Sequence, residues 1–242
     1  MSTEKYDLTY FNKGLESLGI VLSEKQIAQF LTFYELLVEW NSFMNLTAIT
    51  EFEEVVQKHF LDSLALIKAC DLKDQTLIDV GTGAGFPGIP LKIAFPELKV
   101  TLLDSLNKRI NFLNTVIETL GLEKVETIHG RAEDFAKNKD YREKYDLCVS
   151  RAVSNLTTLS EYCLPFVKVN GSFISYKSEK LTEELKEAEK AIAILGGQVG
   201  DQVELTLPDS DIYRNLLIIN KTKNTPGKYP RKAGLPAKEP LK

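Results

Sequence analysis

Residues 77–90, LIDVGTGAGFPGIP, constrain the fold of this chain more than any other stretch. An apolar run ends at Asp79, and four glycines follow within eight positions. Such a pattern is typical of a strand that turns sharply into a helix, with a backbone that another group can approach closely. In an open α/β sheet this first turn is the usual place for a ligand.

Strand and helix patterns alternate through the rest of the chain. After TLIDV, the predicted strands are KVTLLD, VETIHG, YDLCVS and GSFISYK, and apolar residues at helical spacing lie between most of them. The segment QVGDQVELTLPDSDIYRNLLIINKT has two extended runs around a Pro-Asp-Ser turn, which predicts a hairpin. The sequence therefore predicts an α/β fold with a doubly wound, mostly parallel seven-stranded sheet and an antiparallel member near one edge.

The N-terminal region is predicted to be helical. Ser23 and Gln26 form a capping-box pattern before SEKQIAQFLTFYELLVEWNSF, and Thr50 with Glu53 suggests a second helix start. We interpret the chain as three parts: an N-terminal helical cap (1–72), a ligand-binding α/β domain (73–222) and a C-terminal arm (223–242).

The arm differs from the body in composition and charge. It is rich in proline, which argues against a helix or a central strand and predicts an extended segment. The formal net charge is −4, yet residues 221–242 carry seven Lys/Arg and one Glu, so the body is strongly acidic. The arm is expected to bind RNA, with its cations neutralising phosphates and its tyrosine stacking on a base. The residues are Lys228, Tyr229, Arg231 and Lys232. The alternative is a disordered tail without a partner.

The glycine turn does not suit a diphosphate. Residues 83–88 match G-x-G-x-x-G, but the turn already begins at Gly81, and Pro87 has no N–H for a phosphate. Phe86 would offer an apolar face instead. A phosphate-free nucleoside with an amino-acid tail fits Gly81, Gly83 and Phe86 better, and S-adenosylmethionine is the natural candidate.

Two later strand ends support a nucleoside. Asp104 lies 25 residues after Asp79 and could accept both ribose hydroxyls. The Ala132 backbone and the Glu133 side chain, in GRAEDF, could reach an adenine edge. The alternatives are that Asp104 stabilises a helix N-terminus and that Glu133 is a solvated surface acid.

Several segments together resemble the ribosomal RNA small subunit methyltransferase G family, also called the glucose-inhibited division protein B family. They are WNSFMNLTAIT, KHFLDSLAL, DVGTGAGFPGIPLKI, LLDSLNKR, GRAEDF, VSRAV and KYPRKAGLPAKEPL, which together span almost the whole chain. One departure is Leu235, where a small polar residue is expected.

The resemblance implies a methyltransferase that modifies N7 of one guanine in small-subunit ribosomal RNA, with S-adenosylmethionine as cofactor. Carried over by motif, the cofactor contacts are Gly81, Phe86, Ala132, Glu133 and Arg151.

The absence of an obvious catalytic acid or base agrees with that chemistry. N7 of guanine has a lone pair and no proton to remove, so positioning and electrostatics are enough. Cys148 lies within a predicted strand, which favours core packing over a nucleophile for pyrimidine C5. The segment SRAVSN lacks the Pro-Pro pattern of adenine-N6 methylation.

Four polar residues could have a functional or a structural role. Arg151 could bind the cofactor's carboxylate, fix the target base or form a structural ion pair, and we favour the carboxylate. Lys177 could contact RNA or be a surface lysine. Asn45 could lie over the cofactor cleft as part of a helical lid, or end a helix in the left-handed conformation. His59, three residues before Asp62 on one helical face, is expected to form a structural pair with it.

Other features bound the function more loosely. Three separated cysteines and two histidines make a metal site improbable and indicate reduced thiols. No apolar run or N-terminal leader is evident, which predicts a cytoplasmic protein, and we expect a monomer with no membrane partner. A nicotinamide-dependent oxidoreductase and a non-catalytic RNA-binding assembly factor are the rival functions. The acidic body predicts weak, salt-sensitive binding to naked RNA and a preference for a ribonucleoprotein surface.

Overall fold

The computed structural model describes residues 5–178 and 181–241, and its centre is a seven-stranded sheet. The strands follow the order β3-β2-β1-β4-β5-β7-β6. They are β1 (Thr76–Val80), β2 (Lys99–Asp104), β3 (Val125–His129), β4 (Tyr145–Arg151), β5 (Val167–Lys177), β6 (Gly197–Thr206) and β7 (Tyr213–Lys221). The first five strands pair in parallel, and β7 is antiparallel to both β5 and β6. The predicted fold class is confirmed.

Helices cover both faces of the sheet. They are α1 (Thr9–Leu18), α2 (Glu24–Met44), α3 (Phe52–Val55), α4 (Asp62–Leu64), α5 (Gly88–Ala94), α6 (Asn107–Leu120), α7 (Ala132–Phe135), α8 (Leu156–Cys163), α9 (Thr182–Ile194) and α10 (Leu235–Lys238). A π-helical stretch, Val56–Leu61, joins α3 to α4, and a 3-10 turn, Ala65–Lys68, follows α4.

Alternation along the strands divides the core into two. Leu77 packs on the face covered by α1, α2, α5 and α6, whereas Ile78 packs on the face of α7, α8 and α9. The N-terminal helices share their core with the sheet, since Phe33 and Phe60 pack in one cluster with Phe86 and Phe112. The division at residues 72 and 222 stays an interpretation.

Local predictions of helix ends succeeded unevenly. The capping box of Ser23 and Gln26 is present, and Asn45 ends α2 in the left-handed conformation. The start predicted at Thr50 is wrong: the N-cap is Glu51, without a side-chain cap. The N-cap of α6 is Leu106, without a side-chain cap, although Ser105 before it is a residue type that favours this position; the backbone N of Leu106 donates to Asp104 Oδ1.

The C-terminal arm does not extend away from the body. Arg142 donates to the carbonyl oxygens of Thr225 and Tyr229, at 2.7 and 2.8 Å, and the Tyr229 ring is buried in the core beside α8 and α9. One turn of helix, α10, forms within the arm, so the expectation of an entirely extended segment is wrong there. Tertiary contacts with the body outweigh the helix-breaking composition.

Candidate functional site

The loop after β1 uses its backbone N–H groups internally. Gly81, Gly83 and Gly85 have φ values of 74°, 61° and 93°, which favour glycine. The N–H of Gly83 donates to Asp104 Oδ2 at 2.9 Å, and the N–H of Gly88, at the start of α5, donates to Asp79 Oδ2 at 2.8 Å. With Pro87 as the N-cap of α5, this helix start has little to offer a phosphate.

The loop leaves room above Gly83. A Cβ built on Gly83 would meet nothing within 4 Å, although the residue lies between the buried ends of β1 and β2. Gly81 differs, since a Cβ there would lie 2.5 Å from the Val153 side chain. The open cradle at Gly83 is therefore the point in the turn that a ligand can approach.

A cavity of about 270 Å³ adjoins this loop at the carboxyl ends of β1, β2 and β3. Its volume lies at the lower limit of ligand pockets and suits the nucleoside part of a cofactor. The lining includes four of the predicted residues, namely Gly81, Asp104, Ala132 and Glu133, together with Val80, Leu103, Ser105, Gly130, Arg131, Val153 and Tyr162.

Three buried carboxylates give this region a negative character. Asp79, Asp104 and Glu133 are exposed by 0%, 3% and 4%. Asp79 lies beneath the loop, and its Oδ1 is buried without a partner. Burial raises the pKa of Asp79 from 3.8 to about 6. An unsatisfied carboxylate oxygen suits the ammonium and sulfonium charges of S-adenosylmethionine and disfavours a diphosphate.

Asp104 has less capacity for a ribose than the sequence suggested. Its Oδ1 accepts from Leu106 N at 2.9 Å, and its Oδ2 accepts from Gly83 N at 2.9 Å and from Arg109 Nη1 at 3.2 Å. A carboxylate has about four acceptor positions, so about one is left for a ligand. Asp104 thus orders the loop and can receive one hydroxyl without rearrangement.

Phe86 does not line the nucleoside cavity. Its ring is 5% exposed and stacks on the His59 ring at a centroid distance of 4.5 Å, with Phe33 at 5.2 Å. The guanidinium of Arg151 lies 5.3 Å from the ring centroid. The expectation that Phe86 presents an apolar face to the ligand is not met: tertiary packing places the ring in the core, where it supports His59 and Arg151.

A second cavity, of about 590 Å³, opens beyond β4 and β5. It is lined by Ile49, Lys58, His59, Asp62, Arg151, Ala152, Ser154, Leu159, Tyr176, Lys177, Ser178, Ile212 and Arg214. Four of these carry a permanent positive charge, and one carries a carboxylate. Lys58 and Lys177 pair with Glu54 and Glu184, and the two arginines share Asp62, so about one positive charge is uncompensated. This balance suits an electron-rich substrate better than a cationic one.

Asp62 is the centre of the polar groups in this cavity. Its side chain is 1% exposed and accepts from Arg151 Nη1 and Arg214 Nε, each at 2.7 Å. Arg151 also donates to the carbonyl of Lys58 at 3.0 Å. The structural ion pair that we ranked below cofactor binding for Arg151 is present, and its partner is Asp62.

His59 is held in its neutral form within the same group. Its Nδ1 lies 3.2 Å from Arg151 Nη2, and its Nε2 lies 2.9 Å from Thr47 Oγ1. Burial, and then the Arg151 charge, lower its pKa from 6.5 to about 4. We expected His59 to pair directly with Asp62. Instead, Arg151 lies between them and contacts both side chains.

The two cavities meet at the segment that follows β4. Arg151, Ala152 and Ser154 line the larger cavity, and Val153 lines the smaller one. Ala152 has φ 56°, a conformation that is costly for a residue with a Cβ. This strained segment, the junction of the two cavities, therefore contributes residues to both of them.

Sequence reasoning missed three residues of this arrangement. Asp79 was used only as a spacing marker, although its position before the glycine turn could have suggested a buried carboxylate. Arg214 begins β7, and the predicted hairpin already placed the start of an antiparallel strand at the carboxyl edge of its parallel neighbours. Tyr162 lies in the last turn of α8 and lines the smaller cavity, and no motif around it in the sequence indicates a ligand site.

The predicted RNA-binding residues lie in three places. Lys177 lines the larger cavity and pairs with Glu184 at 2.6 Å. Asn45 ends α2 and is exposed, outside the described lining of both cavities. Lys228 and Lys232 are exposed on the arm.

Two other arm residues are already engaged with the body. Arg231 forms a bidentate pair with buried Glu161 on α8, so its charge is neutralised within the protein. Tyr229 is 7% exposed, and the expectation that its ring stacks on a base is wrong.

A parallel sheet with a strand-order reversal between β1 and β4, a phosphate-excluding glycine turn and buried carboxylates define an S-adenosylmethionine-dependent methyltransferase. The sequence profile of rRNA small subunit methyltransferase G matches residues 26–213. The chain belongs to the ribosomal RNA small subunit methyltransferase G family.

Individual relatives agree over nearly the full length. The Ribosomal RNA small subunit methyltransferase G of Lachnoclostridium phytofermentans is 59% identical over 236 residues, which cover 97% of this chain and 98% of the relative. That of Alkaliphilus metalliredigens is 57% identical and covers 95% and 96%. A SAM-dependent methyltransferase from Aquifex aeolicus shares the fold at a TM-score of 0.53 and 19% identity, over 72% of this chain and 96% of that one.

Neither a membrane span nor a metal centre is found in the part of the chain that the structure describes. No helix there combines the length and the apolar character needed to cross a membrane. In residues 5–178 and 181–241, no group of three or more His, Cys, Asp or Glu side chains could hold a metal ion.

Proposed function

We propose that the chain methylates N7 of a guanine in small-subunit ribosomal RNA. The observation that carries this proposal is the larger cavity, whose described lining contains two arginines and two lysines but no side chain placed to act as a general base. Asp62 is bound by two guanidinium groups, and both nitrogens of His59 have partners. An acceptor that needs no deprotonation fits such a cavity, and N7 of guanine is one.

The residues present fit S-adenosylmethionine in the smaller cavity. Asp104 would take one ribose hydroxyl, and the amino-acid part would leave the cavity past Gly81 toward Gly83, where the charge of the buried Asp79 would attract the ammonium. Ala132, the first residue of α7, has no intrahelical partner for its N–H and would meet the adenine edge with Glu133. When bound, the cofactor supplies a methyl group on a positively charged sulfur.

The arginines of the larger cavity would hold the target base. A guanidinium can donate to O6 of guanine, the commonest specific contact to this base. Arg214 is assigned this role because it lines the larger cavity, whereas the guanidinium of Arg151 lies over the Phe86 ring. Arg151, stacked over Phe86 at the junction, would position the base toward the smaller cavity and remain within reach of the cofactor's carboxylate.

The substrate is proposed to be a ribosomal particle rather than free RNA, and the setting is the cytoplasm, where that particle is assembled. The acidic body repels a bare polyanion, which leaves only the exposed cations of the arm and the cavity for contact. The chain is proposed to act as a monomer, since residues of one chain line both cavities.

The decisive experiment uses small ribosomal subunits from cells that lack this enzyme. The full chain is incubated with them and with methyl-labelled S-adenosylmethionine, and the modified base is then identified by nucleoside mass spectrometry and mapped. We expect one 7-methylguanosine per particle and much less label in deproteinised RNA. Label on an exocyclic amine or on C5, or no label in RNA, would contradict the proposal and, in the last case, favour an assembly factor.

Arg214→Ala tests the role of the larger cavity. The variant should lose at least about tenfold in kcat/KM for the particle, the value of one hydrogen bond to a charged group, while its affinity for S-adenosylhomocysteine stays unchanged. Arg109→Ala is the contrasting variant, because Arg109 contacts Asp104 at the smaller cavity. Equal losses of cofactor affinity in both variants would refute the division between the two cavities.

A further inference from the structure

The C-terminal arm is joined to the wall of the nucleoside cavity. The backbone N–H of Gly234 donates to Glu133 Oε1 at 2.8 Å. Glu133 lies on α7, is almost fully buried and lines the cavity. A carboxylate held at one oxygen presents its other oxygen in a fixed direction, so this contact determines what Glu133 offers to a base.

An ion pair fixes the arm close to that contact. Arg231 Nη2 and Nε donate to Glu161 Oε2 and Oε1, at 2.7 and 3.0 Å, and its backbone N donates to Glu161 Oε1 at 2.7 Å. Glu161 is 1% exposed on α8, directly before the cavity residue Tyr162. Three hydrogen bonds to one buried carboxylate hold the chain three residues before Gly234 with little freedom.

A third contact secures the other side of Gly234. The hydroxyl of Thr158 on α8 donates to the carbonyl of Pro236 at 3.2 Å, and Pro236 is buried. Glycine at position 234 has φ 83°, which turns the backbone N–H toward Glu133 between these two attachments. The arm therefore spans α8 and α7 along the edge of the cavity.

We infer that the arm is part of the cofactor site: Arg231, through Glu161, positions the Gly234 N–H, which orients Glu133 to recognise the exocyclic amine of adenine. Arg231 and Gly234 are positioning residues, and Glu133 is the residue that determines base specificity. This inference rests on the proposed cofactor site and departs from the expectation that the arm serves RNA alone.

Discrimination between adenine and hypoxanthine follows from this arrangement. The amino group of adenine donates to a carboxylate, whereas the carbonyl of hypoxanthine at the same position is an acceptor and is repelled by it. A site that hydrogen-bonds one group strongly rejects an analogue that lacks it. If the arm orients Glu133, detaching the arm should weaken this discrimination and not only the affinity.

The test compares full-length variants by calorimetry with S-adenosylhomocysteine and its inosine analogue. Glu161→Gln with Arg231→Gln removes the ion pair without leaving a buried charge alone. Arg231→Lys keeps the charge but loses the bidentate geometry. Lys223→Gln is the control for loss of a cation from the arm away from the cavity, since its side chain is exposed on the same segment.

We expect the double variant to bind S-adenosylhomocysteine at least about tenfold more weakly and to lose most of the preference for adenine over hypoxanthine. Arg231→Lys should be intermediate in both affinity and preference, and Lys223→Gln should match the wild type in both.

Three results would overturn the inference. Unchanged affinity and preference in the double variant would show that the arm is independent of the site. An equal loss for both analogues, in parallel with the melting temperature, would show a merely structural role. A loss confined to the affinity for the ribosomal particle would make the arm an RNA-binding element. Methylation of small subunits by the wild type is measured separately, so failure of the proposed function is distinguishable from failure of this inference.

Discussion

Two buried side chains at the centre of the site have pKa values shifted in opposite directions. Burial raises the pKa of Asp79 from 3.8 to about 6, and burial with the Arg151 charge lowers the pKa of His59 from 6.5 to about 4. The folded state binds more protons at Asp79 than the unfolded state between pH 3.8 and 6, and fewer at His59 between pH 4 and 6.5. As pH falls, Asp79 therefore adds stability while His59 removes it, and the two effects nearly cancel.

Single substitutions should separate these two contributions. Between pH 7 and 4.5, the unfolding free energy of Asp79→Asn should fall by about 2 kcal/mol more than that of the wild type, because only the destabilising effect of His59 remains. Over the same interval, the change in the unfolding free energy of His59→Gln should be about 2 kcal/mol more favourable than that of the wild type, because only the stabilising effect of Asp79 remains. Urea unfolding at both pH values measures this; profiles parallel to that of the wild type would show that neither group titrates abnormally.

Cofactor affinity should depend on the ionisation of Asp79. The ammonium of S-adenosylmethionine needs the carboxylate form, so binding should weaken as pH falls below about 6. Asp79→Asn should bind more weakly at pH 7.5 and show little further change down to pH 5. Calorimetry with S-adenosylhomocysteine provides the affinities, and a wild-type affinity that is constant over this range would contradict the role given to Asp79.

At the scale of the element, the turn between β1 and α5 has separate structural and functional demands. Gly83 and Gly121 have nearly the same φ, 61° and 59°, and a Cβ on either would meet nothing within 4 Å. Gly121 ends α6, whereas Gly83 faces the proposed cofactor. The two positions form a natural pair for separating backbone strain from lost ligand space.

Gly83→Ala and Gly121→Ala should destabilise the protein similarly, by roughly 1–2 kcal/mol for a left-handed residue with a Cβ. Only Gly83→Ala should lose cofactor affinity, by more than about tenfold, because its methyl group occupies the open cradle. Thermal melts and calorimetry on both variants measure the two effects. Equal affinities in the two variants would place the cofactor away from Gly83.

At the scale of the whole molecule, the exposed positive charge differs from the charge that the sequence of the C-terminal region suggests. Residues 221–242 hold the excess of positive charge, but Arg231 of the arm is neutralised by Glu161, and Lys221, the last residue of β7, is buried against Glu143 and the carbonyls of Leu164 and Val167. Lys228 and Lys232 remain exposed. The arm's contribution to RNA contact is therefore expected to come from fewer cations than the composition suggests.

Replacing Lys228 and Lys232 with alanine should weaken binding to the small subunit and reduce the slope of log affinity against log salt by about 1.5, the value for two phosphate contacts. Lys13→Ala with Lys25→Ala removes the same charge from exposed positions on α1 and α2 and is the matched control. Filter binding from 50 to 200 mM salt (about the range in which such slopes are measured) gives both slopes. Equal slopes in the two double variants would mean that the arm does not contact phosphate.

The sequence by itself determined the order of strands and helices, the hairpin at the end of the sheet and the class of ligand at the first turn. These depend on local patterns: periodicity of two or about 3.6, glycines that turn a strand into a helix, and a proline that removes a phosphate donor. Gly81, Asp104, Ala132 and Glu133 line one cavity for the same reason, since parallel strands bring their carboxyl ends to one edge.

Only the tertiary structure decided which of the candidate side chains are free to meet a ligand. Phe86 packs in the core because aromatic residues of α2 and the π-helical stretch surround it, and Arg231 is paired because α8 brings Glu161 beneath the arm. Asp62 forms salt bridges with Arg151 and Arg214, which are distant from it in the chain. These outcomes depend on long-range packing and on the cost of burying an unpaired charge. The spacing of neighbouring residues does not encode either of these two effects.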